Sequence, residues 1–110
     1  MRDTTAACLG ENGSIVSTDS KDLDYIAQDA AGGAIDGVVD RRDYTLVFER
    51  TANDAKRTLA AYKVFASASD TVFGAEAPID DLLSRESNVV VVWDDEPTDR
   101  YRDYIRRCLK

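Results

Sequence analysis

Histidine is absent from the 110-residue sequence. Because histidine is the commonest general base and the commonest metal ligand at neutral pH, its absence excludes Ser–His–Asp and Cys–His catalytic sites and histidine-based zinc sites. No other residue pattern forms a recognisable catalytic or cofactor-binding motif. We therefore predict no catalytic, cofactor-binding or metal-ligating residues, and the sequence favours a non-enzymatic protein without a cofactor.

Long apolar runs are also missing. The longest, VVVVW at 89–93, has the length of a strand, well below the roughly 20 residues that span a bilayer. We therefore predict no transmembrane segment in this chain. The first ten residues hold no apolar signal core, so an exported protein of this sequence would need a leader or anchor upstream of Met1.

Lysine is scarce, with four residues against ten arginines, and the 21 acidic residues give a net charge of −7. Such a chain repels phosphate backbones and anionic membranes, which argues against nucleic acid as a partner. The composition fits either a bacterial genome of high GC content or the acidic surface of a halophile. The 14 basic residues favour the first.

The length fits a single domain, residues 1–110. Hydrophobic periodicity and turn residues predict an element order of β-α-β-β-α-β between an N-terminal and a C-terminal helix. That order is typical of the ferredoxin-like fold, an α+β architecture with a four-stranded antiparallel sheet. The predicted elements are strand 14–17, helix 20–31, strands 34–40 and 43–50, helix 51–67 and strand 88–94, with a loop at 69–78 and a turn at 79–85.

Three local patterns carry further expectations. Thr51 is placed to cap the helix that follows it. The strand ending in Trp93 shows no polar alternation, so both of its faces should be covered. In the last helix, Tyr101, Ile105 and Cys108 fall on one apolar stripe, which predicts that the cysteine is buried.

The two cysteines, Cys8 and Cys108, lie near opposite ends of the chain. In the ferredoxin-like order the first and last strands are neighbours, which brings the two terminal helices side by side. A disulfide would then close a loop of about 100 residues, worth up to roughly 4.7 kcal/mol in the chain-entropy model. The alternative is a pair of buried, reduced cysteines that act as small apolar side chains.

The segments CL near the start, FERTANDAKRTLAAY in the middle and NVVVVWDDEPTDRYRDYIRRCL at the end resemble small actinobacterial proteins of unknown function that are secreted or membrane-anchored. The resemblance implies an extracytoplasmic location and a disulfide between the termini. It implies no activity and no functional residues.

Acidic residues are densest where the last helix begins. Oxygen ligands of this kind suit Ca²⁺, but acids at a helix start are favoured by the helix dipole alone, and the second interpretation is preferred. Asp80 and Asp81 are interpreted as capping residues of the adjacent turn. The cluster consists of Asp94, Asp95, Glu96 and Asp99.

Three apolar side chains are candidate partner contacts: Val72 and Phe73 in the predicted loop, and Trp93 at the end of the last strand. Two functional hypotheses follow, beside a third, an enzyme that uses carboxylates or a metal, which the absence of histidine disfavours. The favoured one is an extracytoplasmic binding module for a protein or cell-envelope component, stabilised by a Cys8–Cys108 disulfide. The alternative is a cytoplasmic small-ligand or regulatory domain with reduced cysteines, which forms homodimers as ferredoxin-like sensor domains do.

Overall fold

The computed structural model describes residues 1–68, 82–94 and 97–109. Within these ranges the chain forms five β-strands, four α-helices and a short 3-10 turn at Ser20–Asp22. The strands are β1 (Ile15–Ser17), β2 (Ala34–Val39), β3 (Arg42–Phe48), β4 (Leu83–Glu86) and β5 (Val89–Trp93). The helices are α1 (Arg2–Glu11), α2 (Tyr25–Gln28), α3 (Ala52–Ala68) and α4 (Asp99–Leu109).

All five strands belong to one antiparallel sheet in the order β1-β2-β3-β5-β4. The predicted α+β class and the antiparallel sheet are confirmed, but the ferredoxin-like topology is not. That topology would place the first strand in the centre of the sheet, whereas β1 lies at an edge and pairs only with β2 among the described strands, Val16 standing opposite Gly37. The chain between them reverses direction to make an antiparallel neighbour instead of crossing over to a parallel strand.

The helix predicted at 20–31 is much shorter in the structure. Its first residues form the 3-10 turn, and α2 begins only after Asp24, whose Oδ1 accepts the Ala27 amide at 2.8 Å. The cap therefore lies four to five residues later than the sequence pattern indicated. At the other end the amide of Gly32 donates to the Phe48 carbonyl at 2.7 Å. A Cβ at position 32 would lie 2.8 Å from that oxygen, so this close approach requires glycine.

The strand containing VVVVW is buried on both faces, as predicted. It lies inside the sheet between β3 and β4, not at the edge where the ferredoxin-like order would place it. Part of the predicted turn 79–85 is strand β4, which pairs with β5 through a two-residue turn at Ser87 and Asn88. Residues 79–81 of that prediction lie outside the described residues. The sequence did not indicate a strand here because β4, LSRE, lacks the β-branched and aromatic residues typical of strands.

Helices cover both faces of the sheet. One core lies under α1 and α4 and includes Leu9, Tyr44 and Ile105. The other lies under α2 and α3 and includes Tyr62 and Val90. Alternate side chains of β3 and β5 enter opposite cores, which explains why the valine run carries no polar alternation.

Two predicted local features are present with small shifts. The β2–β3 hairpin turns at Asp40 and Arg41, whose φ angles of 49° and 67° lie in the left-handed region. The turn thus begins at position 40, which the prediction assigned to the end of the first hairpin strand. Thr51 caps α3 as predicted, because its hydroxyl accepts the Asp54 amide at 3.1 Å.

Candidate functional site

The two cysteines form a disulfide between α1 and α4, with 5.5 Å between the Cα atoms of Cys8 and Cys108. The pairing predicted from the sequence is present, but the reason given for it was wrong. Strands β1 and β5 are not neighbours, since β2 and β3 lie between them. The cysteines meet because the two terminal helices pack together over the same face of the sheet. Cys108 is 7% exposed, as its position on the apolar stripe predicted.

A chain of hydroxyl groups supports this pair of helices from below. The Tyr44 hydroxyl donates to Ser14 Oγ at 2.8 Å, and Ser14 Oγ lies 2.6 Å from the Tyr104 hydroxyl. Tyr104 in turn donates to the Leu9 carbonyl at 3.0 Å. Burial raises the pKa of Tyr44, so the phenol stays protonated and remains a donor throughout the physiological range. The network therefore links α1, β3 and α4 independently of the disulfide.

Trp93 is not a surface contact. It is 2% exposed, and its ring lies 5.3 Å from that of Tyr44 and 6.3 Å from that of Tyr101. The prediction of a partner contact at this residue is therefore corrected: the side chain at the end of β5 points into the core under α4. The other two candidates, Val72 and Phe73, lie outside the described residues.

A polar cleft of about 310 Å³ lies between α4 and β4, above the edge of the same core. Arg106 lines the cleft and donates to Glu86 at 2.7 Å and to Asp103 at 3.3 Å. Because Arg106 is already paired with two carboxylates, little of its positive charge is available to an anionic ligand. The cleft is consequently a weaker binding candidate than its two lining arginines, Arg102 and Arg106, would indicate by themselves.

A second cavity, of about 470 Å³, lies on the other face of the molecule between α2 and α3. We call it the α2 cavity. Its volume falls within the range of sites that hold small ligands. Its lining is mainly apolar and includes two tyrosine rings. The described lining residues are Leu23, Asp24, Tyr25, Ile26, Gln28 and Tyr62.

Asp24 is the one charged side chain among the described residues of that lining. Its carboxylate is held in place by the Tyr62 hydroxyl, which lies 3.0 Å from Oδ1 and 2.9 Å from Oδ2, and by the Ala27 amide. Burial, reinforced by the adjacent Asp24 charge, raises the pKa of Tyr62. Tyr62 therefore remains a hydrogen-bond donor, and the carboxylate keeps one orientation at the cavity wall.

Tyr25 is unusually exposed for an aromatic residue, at 85%. It follows the capping Asp24 directly, and both residues line the same cavity. Sequence patterns singled out none of Asp24, Tyr25 and Tyr62 as a functional residue. The pattern D-Y-I-A, in which an aspartate precedes a short apolar segment by one residue, was the available signal for the cap.

Acidic side chains near this face repel one another. Burial and the charges of neighbouring carboxylates, led by Asp43 and followed by Asp22, Asp94 and Asp24, raise the pKa of Asp36 to about 6. Within the described ranges no group of three or more potential ligands could hold a metal ion. Of the acidic cluster weighed as a cation site, Asp95 and Glu96 lie outside those ranges, as do Asp80 and Asp81.

The first turn of α4 fits the helix-dipole interpretation preferred for that cluster. Asp99 lies there and pairs with Arg102 at 3.6 Å.

Comparisons with family models, with curated proteins and with solved structures found no match to this chain. Among the described helices, none is both long enough and apolar enough to cross a membrane.

Proposed function

We propose that this protein is a non-enzymatic binding module that works outside the cytoplasm, where the Cys8–Cys108 disulfide stabilises it. Its partner is a protein or another component of the cell envelope. The disulfide is the observation that carries this proposal. Cytosolic proteins are normally kept reduced, whereas small exported domains commonly join distant parts of the chain through such bonds.

The position of the disulfide supports the choice of compartment. It joins residues 100 positions apart, so it constrains nearly the whole unfolded chain. A bond at this position increases stability in an oxidising environment, where it forms and persists. The resemblance to small secreted or anchored actinobacterial proteins favours the same location.

The binding role is supported by the surface. The α2 cavity is of ligand-binding size and has one oriented carboxylate, an arrangement typical of recognition sites. The net charge of −7 disfavours nucleic acid as the partner.

Thiol counting after expression in two compartments tests the central claim. The chain is produced in a bacterial periplasm behind an added leader and, separately, in a reducing cytosol. Each preparation is denatured, alkylated and weighed by mass spectrometry. We expect no alkylated thiols in the periplasmic protein. A Cys108→Ala variant, reduced before alkylation, is the control, because its single remaining Cys8 cannot form the intramolecular bond and must then be alkylated in full.

Two alkylated thiols in the periplasmic protein would overturn the proposal. They would favour the alternative function, a cytoplasmic small-ligand or regulatory domain with reduced cysteines. The gene sequence upstream of Met1 provides an independent check, since an encoded leader or membrane anchor supports the extracytoplasmic location.

A further inference from the structure

We propose that the α2 cavity binds a positively charged amine carried on an apolar group. This assignment rests on the proposed binding role and specifies the class of ligand that it would serve. A free alkylamine or arylalkylamine and the side chain of a lysine share this chemistry.

The charge of the α2 cavity favours a cationic ligand. Asp24 is the only charged residue that the described lining presents to the cavity. Other carboxylates lie near enough to influence one another, since Asp22 and Asp24 both contribute to the raised pKa of Asp36. An anionic ligand would meet this negative field unfavourably, whereas a cation would be attracted to it.

The Asp24 carboxylate is held in an orientation that suits an ammonium group. The single proton of the Tyr62 hydroxyl is shared between the two oxygens of Asp24, and the Ala27 amide adds a bond to Oδ1 alone. Oδ2 therefore keeps acceptor capacity for an ammonium group. Because its position is already fixed by two donors, little further side-chain entropy is lost when a ligand binds.

The walls of the α2 cavity are mainly apolar. Tyr25 provides an exposed aromatic surface, and Leu23 and Ile26 provide aliphatic ones. Tyr62 is 2% exposed and contributes its hydroxyl, which holds the Asp24 carboxylate. Aromatic rings beside a carboxylate are the arrangement with which proteins recognise ammonium ions, because the ring face carries partial negative charge. Apolar walls select a ligand whose amine is attached to a hydrocarbon group.

A titration with three matched probes tests the assignment. The oxidised protein is titrated with 2-phenylethylamine, with neutral 2-phenylethanol and with anionic 3-phenylpropanoate, and amide shifts are followed by NMR. We expect the amine to bind about fivefold tighter than the alcohol, the ratio that an oriented, partly exposed ion pair supplies. The propanoate should bind most weakly. Shifts should concentrate at residues 23–28.

Two substitutions separate the role of charge from that of fold. Asp24→Asn keeps an oxygen that can accept from Ala27 and from Tyr62, so the cap should survive while the charge is lost. We expect the preference for the amine over the alcohol to disappear. Asp29→Asn is the matched control, since Asp29 is an exposed carboxylate at the end of α2 that does not line the cavity. The preference should persist in that variant.

The aromatic contribution is tested at Tyr25, whose exposure makes its removal harmless to the core. Tyr25→Ala should weaken amine binding by about two- to fivefold, the range expected for a cation–π contact at an exposed site. Val64→Ala removes another exposed apolar side chain, 70% accessible and outside the described lining, and should leave binding unchanged.

A second arm identifies the source of the amine. Nα-acetyl-lysine methylamide is titrated beside 2-phenylethylamine; tighter binding of the lysine derivative assigns the site to a protein partner, and the reverse assigns it to a free amine. Equal binding of amine and alcohol, or no binding of any probe, overturns the assignment. If binding fails in this way while the disulfide is intact, the proposed extracytoplasmic location still stands. Free thiols in the periplasmic protein would overturn the proposed location without affecting the assignment of the α2 cavity to an amine.

Discussion

Removal of the disulfide is the perturbation with the largest expected effect on stability. Replacing both cysteines by alanine releases a loop closed over 100 residues, and the chain-entropy model assigns such a loop about 4.7 kcal/mol at 25 °C. A domain of this size is typically stable by roughly 5–15 kcal/mol. The double variant Cys8→Ala/Cys108→Ala should therefore fold but lie close to the limit of stability.

The loss should come mainly from the unfolded state, because the native contacts between α1 and α4 do not depend on sulfur alone. Leu9 and Ile105 stay buried between these helices and the sheet, and the hydrogen bond from Tyr104 to Leu9 remains. We expect a fall of about 3–4.7 kcal/mol in the free energy of unfolding, with near-native circular dichroism. The denaturant m-value should rise, since an open chain exposes more surface than a cross-linked one.

Urea denaturation of the oxidised protein, of the reduced protein and of the double variant measures this loss. The reduced protein and the double variant should agree, and adding reductant to the double variant should change nothing. A loss below about 1 kcal/mol with an unchanged m-value would refute the reasoning, because it would show that the bond does not restrict the unfolded ensemble.

Three further substitutions, one of them with a matched control, test the fold. The pKa of Asp36 is raised from 3.8 to about 6, chiefly by burial, so the folded state binds this proton more tightly than the unfolded state, and the free energy of unfolding falls as pH rises from about 4 through 6. Asp36→Asn should flatten that slope and add on the order of 1 kcal/mol to the free energy of unfolding at pH 7, after allowance for solvent screening. An unchanged pH profile of stability would contradict this. Gly37→Ala places a methyl group against the buried Tyr44 ring and should cost about 1–3 kcal/mol in urea denaturation, whereas Gly10→Ala, with only an ordinary contact, should be neutral or stabilising. Arg41→Gly removes the strain of a non-glycine residue with a φ of 67° in a two-residue hairpin turn. It should raise the melting temperature by a few degrees, corresponding to about 0.5–1 kcal/mol. A lower melting temperature would show that the left-handed conformation carries no strain.

The α2 cavity shows where prediction from sequence stops. Asp24 and Tyr62 are 38 residues apart, and no short-range pattern relates them. The helical pattern of α3 does not indicate which carboxylate the Tyr62 hydroxyl meets. The aromatic residue chosen from the sequence, Trp93, was placed at the surface because it ends a strand, yet α4 covers it.

Local patterns by themselves predicted the positions of β2, β3, β5, α3 and α4, the cap at Thr51 and the burial of Cys108. These features depend on residues within one or two turns of each other, where periodicity and capping chemistry act directly. Strand order depends on which edges meet across the chain, and it was decided only in the tertiary structure, which placed β1 at an edge. The disulfide shows the difference most clearly. The two cysteines could be paired from their positions in the sequence, but packing of α1 against α4, not adjacency of the first and last strands, brings the sulfur atoms together.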